Sequence, residues 1–188
     1  MTSADPSPVR FFYVSESKAP LPPAPMLYRE VQRLQQWVFW VPIAIVTVVI
    51  WWAFFKQIVF DDPVGREPLP DWLAWVLALV FGLGFPALGW IMRLITQVHP
   101  GLLWVRLSPF RGIRIPVEEI ESATAREYSP IREYGGWGVR TGRSGRAYNA
   151  HGNKGVQLVL TGGRRILVGS QKPDELVVAL ESAGADVR

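Results

Sequence analysis

Two stretches of the chain carry no charged residue, and each is long enough to cross a bilayer: LQQWVFWVPIAIVTVVIWWAFF (34–55) and WLAWVLALVFGLGFPALGWIM (72–92). As a helix, about 20 apolar residues cover the roughly 30 Å of hydrocarbon in a bilayer. The pattern predicts two transmembrane helices, with spans at about 34–56 and 72–95, closing into a tight antiparallel hairpin. Gly82, Gly84, Ala87 and Gly89 supply small residues for close helix approach, and Pro86 predicts a kink. Upstream, Tyr28, Val31 and Leu34 recur at spacing three with Arg29, Glu30 and Arg33 between them. That spacing predicts a helical lead-in over 28–37.

Beyond residue 99 the period changes to two. LLWVRL (102–107) and GIRI (112–115) flank SPFR as a hairpin. SATAREY (122–128), WGVRT (137–141), RAYNA (146–150), GVQLVL (155–160) and RRILVG (164–169) follow, separated by turn residues. These are the marks of an antiparallel sheet or barrel of about seven strands. KPDELVVALESAG (172–184) then reads as one amphipathic helix. Pro173 and two acids open it, Gly184 ends it, and Leu176, Ala179, Leu180 and Ala183 form its apolar face. The fold class expected is an α+β membrane protein. It comprises a proline-rich disordered tail (1–25), a helical hairpin (26–98) and a soluble β-domain (99–188) capped by the helix. FFYV (11–14) is apolar enough to dock on the membrane or on the domain.

Charge sets the orientation. Arg29, Arg33, Arg93, Arg106, Arg111 and Arg114 flank the two spans, whereas the connection 56–71 holds Lys56 and Arg66 against four acids. The positive-inside bias places both termini in the cytoplasm, and Trp37, Trp40, Trp51, Trp52, Trp72 and Trp90 mark the interfaces. A bacterial inner membrane is the expected location. Neither span holds an ionisable residue, which disfavours transport or intramembrane catalysis and favours an anchor. The chain has no cysteine, so disulfides and thiolate chemistry are excluded.

YSPIREYGGWGVR, AYNAHGNKGVQLVLTGG and ILVGSQKPDEL are similar to segments of an uncharacterised family of two-span bacterial membrane proteins carrying a PH-like domain. The resemblance covers about residues 26–184. It implies the pleckstrin-homology superfold, a bent seven-stranded sheet capped by a C-terminal helix. It carries over no activity and no catalytic residue.

The glycine-rich run EYGGWGVRTGRSGRAYNAHGNKGVQL (133–158) is the segment where chemistry is most plausible. It matches no Walker loop, and Gly136-Trp137-Gly138 lacks both the third glycine and the following helix of a dinucleotide fingerprint. His99 reads as a junction turn, His151 as part of a Gly/Asn turn, and no serine has a histidine at motif spacing. No enzyme activity, cofactor or metal is expected. From Arg126 to Arg165 there are eight basic residues against two acids. Beside an anionic leaflet each contributes up to about 1 kcal/mol of attraction. The candidate ligand- or partner-binding residues are Tyr134, Gly135, Gly136, Trp137, Gly138, Arg140, Arg143, Arg146 and Lys154. Gly145 and Gly152 read as turn glycines. Gly135–Gly138 reads as a bulge or a close backbone approach. Arg140 is either an outward charge or a partner of Glu133. The expected function is a non-catalytic binding, scaffold or accessory protein on the lipid bilayer, acting on a membrane-protein partner or complex. An anionic-lipid-sensing module is the alternative, and an enzyme with an unusual site is third. Nucleic acid is not an expected partner.

Overall fold

The computed structural model describes residues 25–34, 37–62, 65, 69–142 and 144–185. The expected tail (all but Pro25), FFYV at 11–14 and Arg143 lie outside the described residues.

The chain is α+β, with two apolar helices, two β-sheets and a C-terminal helix. It runs from β1 (Tyr28–Arg33) into α1 (Trp37–Phe54), which continues as a π-helical turn over Phe55–Val59. The return leg is α2 (Asp71–Leu77), a π-helical stretch Ala78–Gly84 and α3 (Phe85–Ile91). Then come β2 (Arg93–His99), β3 (Leu102–Ser108), β4 (Gly112–Pro116) and β5 (Ile120–Glu127). After α4 (Pro130–Tyr134) follow β6 (Gly138–Gly142), β7 (Gly145–Asn149), β8 (Lys154–Leu160), β9 (Arg164–Gly169) and α5 (Pro173–Ser182). One sheet has the order β1-β2-β3-β4 and the other β5-β8-β9-β7-β6.

The helical lead-in expected over 28–37 is overturned. Residues 28–33 form a strand, paired antiparallel to β2 from Tyr28↔Val98 to Arg33↔Arg93. The strand was hidden because its polar residues face inward. Gln32 is 6% exposed while Val31 is 43% exposed. Gln32 survives burial because its amide donates to the Gly169 carbonyl at 2.9 Å. The second span is shorter than expected. Its helix stops at Ile91, and residues 93–95 belong to β2, where Leu94, Thr96 and Val98 alternate inward. His99 is therefore no junction turn but the buried last residue of that strand.

The helical hairpin is thus an insertion between two neighbouring strands. Phe39–Val59 and Asp71–Ile91, of 21 residues each, are long and apolar enough to cross a membrane. They touch through the expected small residues. A Cβ on Gly82 would lie 2.8 Å from the Trp51 indole nitrogen, which donates to the Gly82 carbonyl at 3.2 Å. Gly89 faces Phe39 and Trp40 in the same way. Pro86 sits in the first turn of α3, directly after the π-helical stretch. On the outer surface Ile45, Val48, Trp52 and Leu79 stay exposed.

The strand count is nine among the described residues, because β1 and β2 join the expected seven. Nor is the pairing wholly antiparallel, since β7 runs parallel to β9. Residues 150–153 carry the chain across the end of β9, so β7 and β8 flank it on opposite sides. The crossing is tight. A Cβ on Gly155 would meet the Val168 carbonyl oxygen at 2.5 Å, and one on Gly169 the Asn149 Cβ at 2.9 Å. The core lies between the sheets, where Leu103, Val105, Ile115, Leu158 and Leu160 are fully buried. α5 covers it with Leu176, Ala179 and Leu180, packing on β5, β8 and β2. Each such leucine contributes roughly 1.5–3 kcal/mol.

Candidate functional site: an arginine-lined cleft at the hairpin base

The local fold of 129–138 aims the site. Glu133 pins α4 at its start, accepting the Ser129 N–H at 2.7 Å and the Arg126 guanidinium at 2.8 Å. The Arg126 guanidinium holds the Glu133 carboxyl below its usual range, with the Ser129 N–H adding to the effect. Tyr134 ends the helix buried, edge-on to Tyr128 at 6.0 Å, with its hydroxyl 3.3 Å from Arg126. It packs a small satellite core and does not reach the cleft. Burial pushes the neighbouring Tyr128 phenol up to about 12.

Gly135, Gly136 and Gly138 have φ of 72°, 126° and 109°. A Cβ on any of them would meet nothing within 4 Å. The close approach expected here is absent, and these glycines instead turn the chain through conformations L-residues avoid. Gly135 closes α4 in the left-handed region, its N–H bonded to the Ile131 carbonyl at 3.0 Å. Close approaches fall later in the run, at Gly142 against the Glu133 carbonyl oxygen and at the expected turn glycine Gly145, whose Cβ would collide with the Arg165 carbonyl oxygen.

The turn delivers Trp137 to the lining of a cleft of about 420 Å³. The Trp137 indole donates to the Gly152 carbonyl at 3.0 Å, and the Gly138 N–H to the buried Asn149 side-chain oxygen at 2.9 Å. It is lined by Trp137, Val139, Arg140 and Arg146 from the β6–β7 side, and by Leu107 of β3 with Phe110 and Arg111 of the β3–β4 turn. The floor is Leu34, Phe39 and Met92, where the helices leave the strands. Arg140 is exposed, with Nε donating to the Trp137 carbonyl at 3.2 Å. It is not Glu133's partner. The Arg146 guanidinium sits 5.2 Å from the Tyr148 ring centre. Among the described residues Arg111, Arg140 and Arg146 have no carboxylate within 4.0 Å.

The structure therefore brings Trp137, Gly138, Arg140 and Arg146 together in the cleft lining, which does not include Gly135 or Gly136. Lys154 stands apart, 3.9 Å from Glu127. Phe39, Met92, Phe110 and Arg111 line the cleft although the sequence did not place them in a binding site. Arg111 was legible as one of the charges flanking the spans, but nothing in the sequence showed the SPFR turn folding against the hairpin base.

The register adds two more charges at this end of the molecule. Arg33 and Arg93 lie directly opposite each other, and Arg93 also pairs with Ser108 beside the β3–β4 turn. Both arginines are exposed. Like charges directly opposite on neighbouring strands are destabilising unless an anion intervenes. The opposite end of β1 is acidic: Asp174 and Glu175 of α5 line a groove with Leu27 and Tyr28. No group of three or more His, Asp or Glu residues able to hold a metal gathers among the described residues.

The fold and site together define an α+β protein with an apolar helical hairpin set between its first two strands and a cationic cleft at the hairpin's base. The chain belongs to a family of unknown function (DUF6141), whose model matches residues 20–187. Comparison with the curated proteins gave no match.

Proposed function

We propose that the protein is a membrane-anchored, non-catalytic binding protein. It acts as a scaffold or accessory subunit at the cytoplasmic face of a bacterial inner membrane. The observation that carries this reading is the insertion of the apolar hairpin between β1 and β2. Side chains such as Ile45, Val48 and Leu79 cover an outer surface that the fold leaves unburied, which lipid would cover at no cost in lost hydrogen bonds. Two strands, not one linker, enter the hairpin, so the β-domain is held against the bilayer with its arginine-rich end facing it. Both termini are then cytoplasmic.

The soluble part supports a PH-like reading. With α4, β6 and β7 set aside, a four-stranded antiparallel sheet, a second sheet in the order β5-β8-β9 and a C-terminal helix remain. That is the four-plus-three-plus-helix order of the pleckstrin-homology superfold. On this reading α4-β6-β7 is an insertion, and it supplies one wall of the cleft. A membrane-protein partner has a surface on the far side: the edge strand β1 beside α5, where Val178 and Leu27 are exposed.

Mild detergent extraction of the native protein tests the scaffold role, and a defined co-purifying membrane protein is expected. A protein that comes out alone and monodisperse contradicts it. A periplasm-active reporter at the C-terminus should be silent, and a signal there would reverse the orientation. Release of the protein by alkaline carbonate would refute the anchor itself.

A further inference from the structure

We propose that the cleft at the hairpin base binds the phosphate of an anionic phospholipid. The proposal rests on the anchored reading above and assigns a ligand class to its site. Arg111, Arg140 and Arg146 line one cleft and have no carboxylate partner among the described residues. Guanidinium groups prefer planar, two-point contact with phosphate oxygens. The Nε bond to the Trp137 carbonyl orients Arg140 and leaves its terminal N–H groups for a ligand. The Tyr148 ring does the same for Arg146 by stacking.

The remaining surface of the cleft discriminates between anions. Its floor and sides are Leu34, Phe39, Met92, Leu107 and Phe110, which give a free inorganic ion nothing to bury. An amphiphile whose charge meets the arginines and whose glycerol and first methylenes meet Phe39 and Met92 matches both halves. A volume of about 420 Å³ holds a head group and glycerol, and is too small for acyl chains. Those chains have a place beside the helices, because Phe39 begins one span and Met92 follows the other. Phe110, 52% exposed at the turn next to Arg111, stands where an aromatic ring enters the interface. The Arg33–Arg93 couple at the same strand ends, with no ion pair among the described residues, adds the attraction that concentrates anionic lipid there.

The test uses the full chain purified in a neutral detergent and titrated with phosphatidylglycerol, phosphatidylcholine, glycerol 3-phosphate or inorganic phosphate. Bound lipid is read by native mass spectrometry. The variants are R140Q/R146Q, the charge-retaining R140K/R146K, and R164Q/R165Q as a charge-matched control on β9. Phosphatidylglycerol should be retained by the wild type and by R164Q/R165Q. Retention should fall at least about tenfold in R140Q/R146Q, with R140K/R146K in between because lysine lacks the fork. Equal loss in R140Q/R146Q and R164Q/R165Q would overturn the proposal in favour of net charge alone. Displacement of the lipid by equimolar inorganic phosphate would overturn it in favour of a free-anion site. Loss of a co-purifying protein, with lipid retained, would assign the cleft to an acidic protein segment and overturn it too. Carbonate extraction of the same variants separates this from failure of the anchor: R140Q/R146Q must stay in the membrane fraction whatever its lipid content.

Discussion

Glu30 ties β1, the strand that enters the helical hairpin, to the rest of the β-domain. Its carboxylate accepts from the Tyr28 hydroxyl at 2.7 Å, the Ser170 hydroxyl at 2.6 Å, the Gln32 amide at 3.0 Å and the Gln171 backbone N–H at 2.8 Å. These contacts tie β1 to the start of α5, about 140 residues later. Hydrogen bonds to a charged group contribute about 1.5–3 kcal/mol each when shielded, and donors left buried and unpaired add to the loss. Ser170 is fully buried, while Gln171 reaches solvent and will rebind water. The expected cost of Glu30→Ala is therefore about 3 kcal/mol, well below the sum of four bonds. Ser170→Ala should cost about 2 kcal/mol, because its hydroxyl also accepts from the Lys172 N–H at 3.0 Å. The double variant should fall short of additivity by about 1.5 kcal/mol, since each single change already breaks the shared bond. Arg29→Ala, on the same strand but exposed, should stay within about 0.5 kcal/mol. Thermal unfolding of the full chain in detergent reads the effect, with about 6–12 °C expected for Glu30→Ala. Hydrogen exchange adds the location, because amides of β2 paired to β1 should lose protection first. Additive single effects, or unchanged protection over 93–99, would refute the clamp.

Three other outcomes follow from the β-domain. The Glu133 carboxyl is held below its usual range by Arg126, so it stabilises the fold above the unfolded-state value and that stability is lost as pH falls through the folded-state value; acid titration of Glu133→Gln should lack this component, and an unchanged acid limb would refute it. Tyr128 has the opposite sign: burial raises its phenol to about 12, so stability is complete below pH about 10 and falls by about 2–3 kcal/mol as pH rises towards 12. Tyr128→Phe should flatten that alkaline limb, measured by circular dichroism, and a limb of unchanged depth would contradict the assignment. Gly145→Ala combines φ of 107° with a collision against the Arg165 carbonyl, and should cost more than about 2 kcal/mol. Gly136→Ala has only the φ penalty, about 1 kcal/mol, and equal costs in urea unfolding would show that space plays no part.

What the sequence made legible depended on whether a residue's polarity matched its burial. The two apolar helices were visible because twenty uncharged residues leave few alternatives. Among the strands after residue 99, β3 and most of β8 alternate in the ordinary sense, and most strand bounds shift by only a residue or two. α5 presents the expected face, with Leu176, Ala179 and Leu180 buried. β1 breaks the rule. Gln32 and Glu30 turn towards the protein because Gly169, Ser170 and Gln171 offer polar groups there, and Val31 is left outside. A hydrophobicity pattern cannot register a strand whose inward face is satisfied by hydrogen bonds made about 140 residues away. β2 alternates normally but directly follows the second apolar run, so its first residues were absorbed into the span. Of the cleft, Trp137, Gly138, Arg140 and Arg146 were legible as an aromatic and basic cluster. Arg111 and Phe110 were not, because only the β2–β3–β4 register brings them to the hairpin base.

Pairing Arg33 with Arg93 has a mechanical consequence for the anchored reading. A domain tethered by one flexible linker samples every orientation, and a shallow cationic cleft would then meet the bilayer only a fraction of the time. Here the two chain segments entering the hairpin are adjacent antiparallel strands, held by six register pairs from Tyr28↔Val98 to Arg33↔Arg93. That ladder keeps the two entry points of the hairpin side by side, so the domain has two connections to the helices in place of one. The Trp40 indole bond to the Leu34 carbonyl at 2.9 Å stiffens the same junction. On the anchored reading, two chain connections restrict the domain's orientation before any ligand arrives, and a site with three arginines over an apolar floor then meets less of the ordering cost that a freely tethered domain would meet on binding.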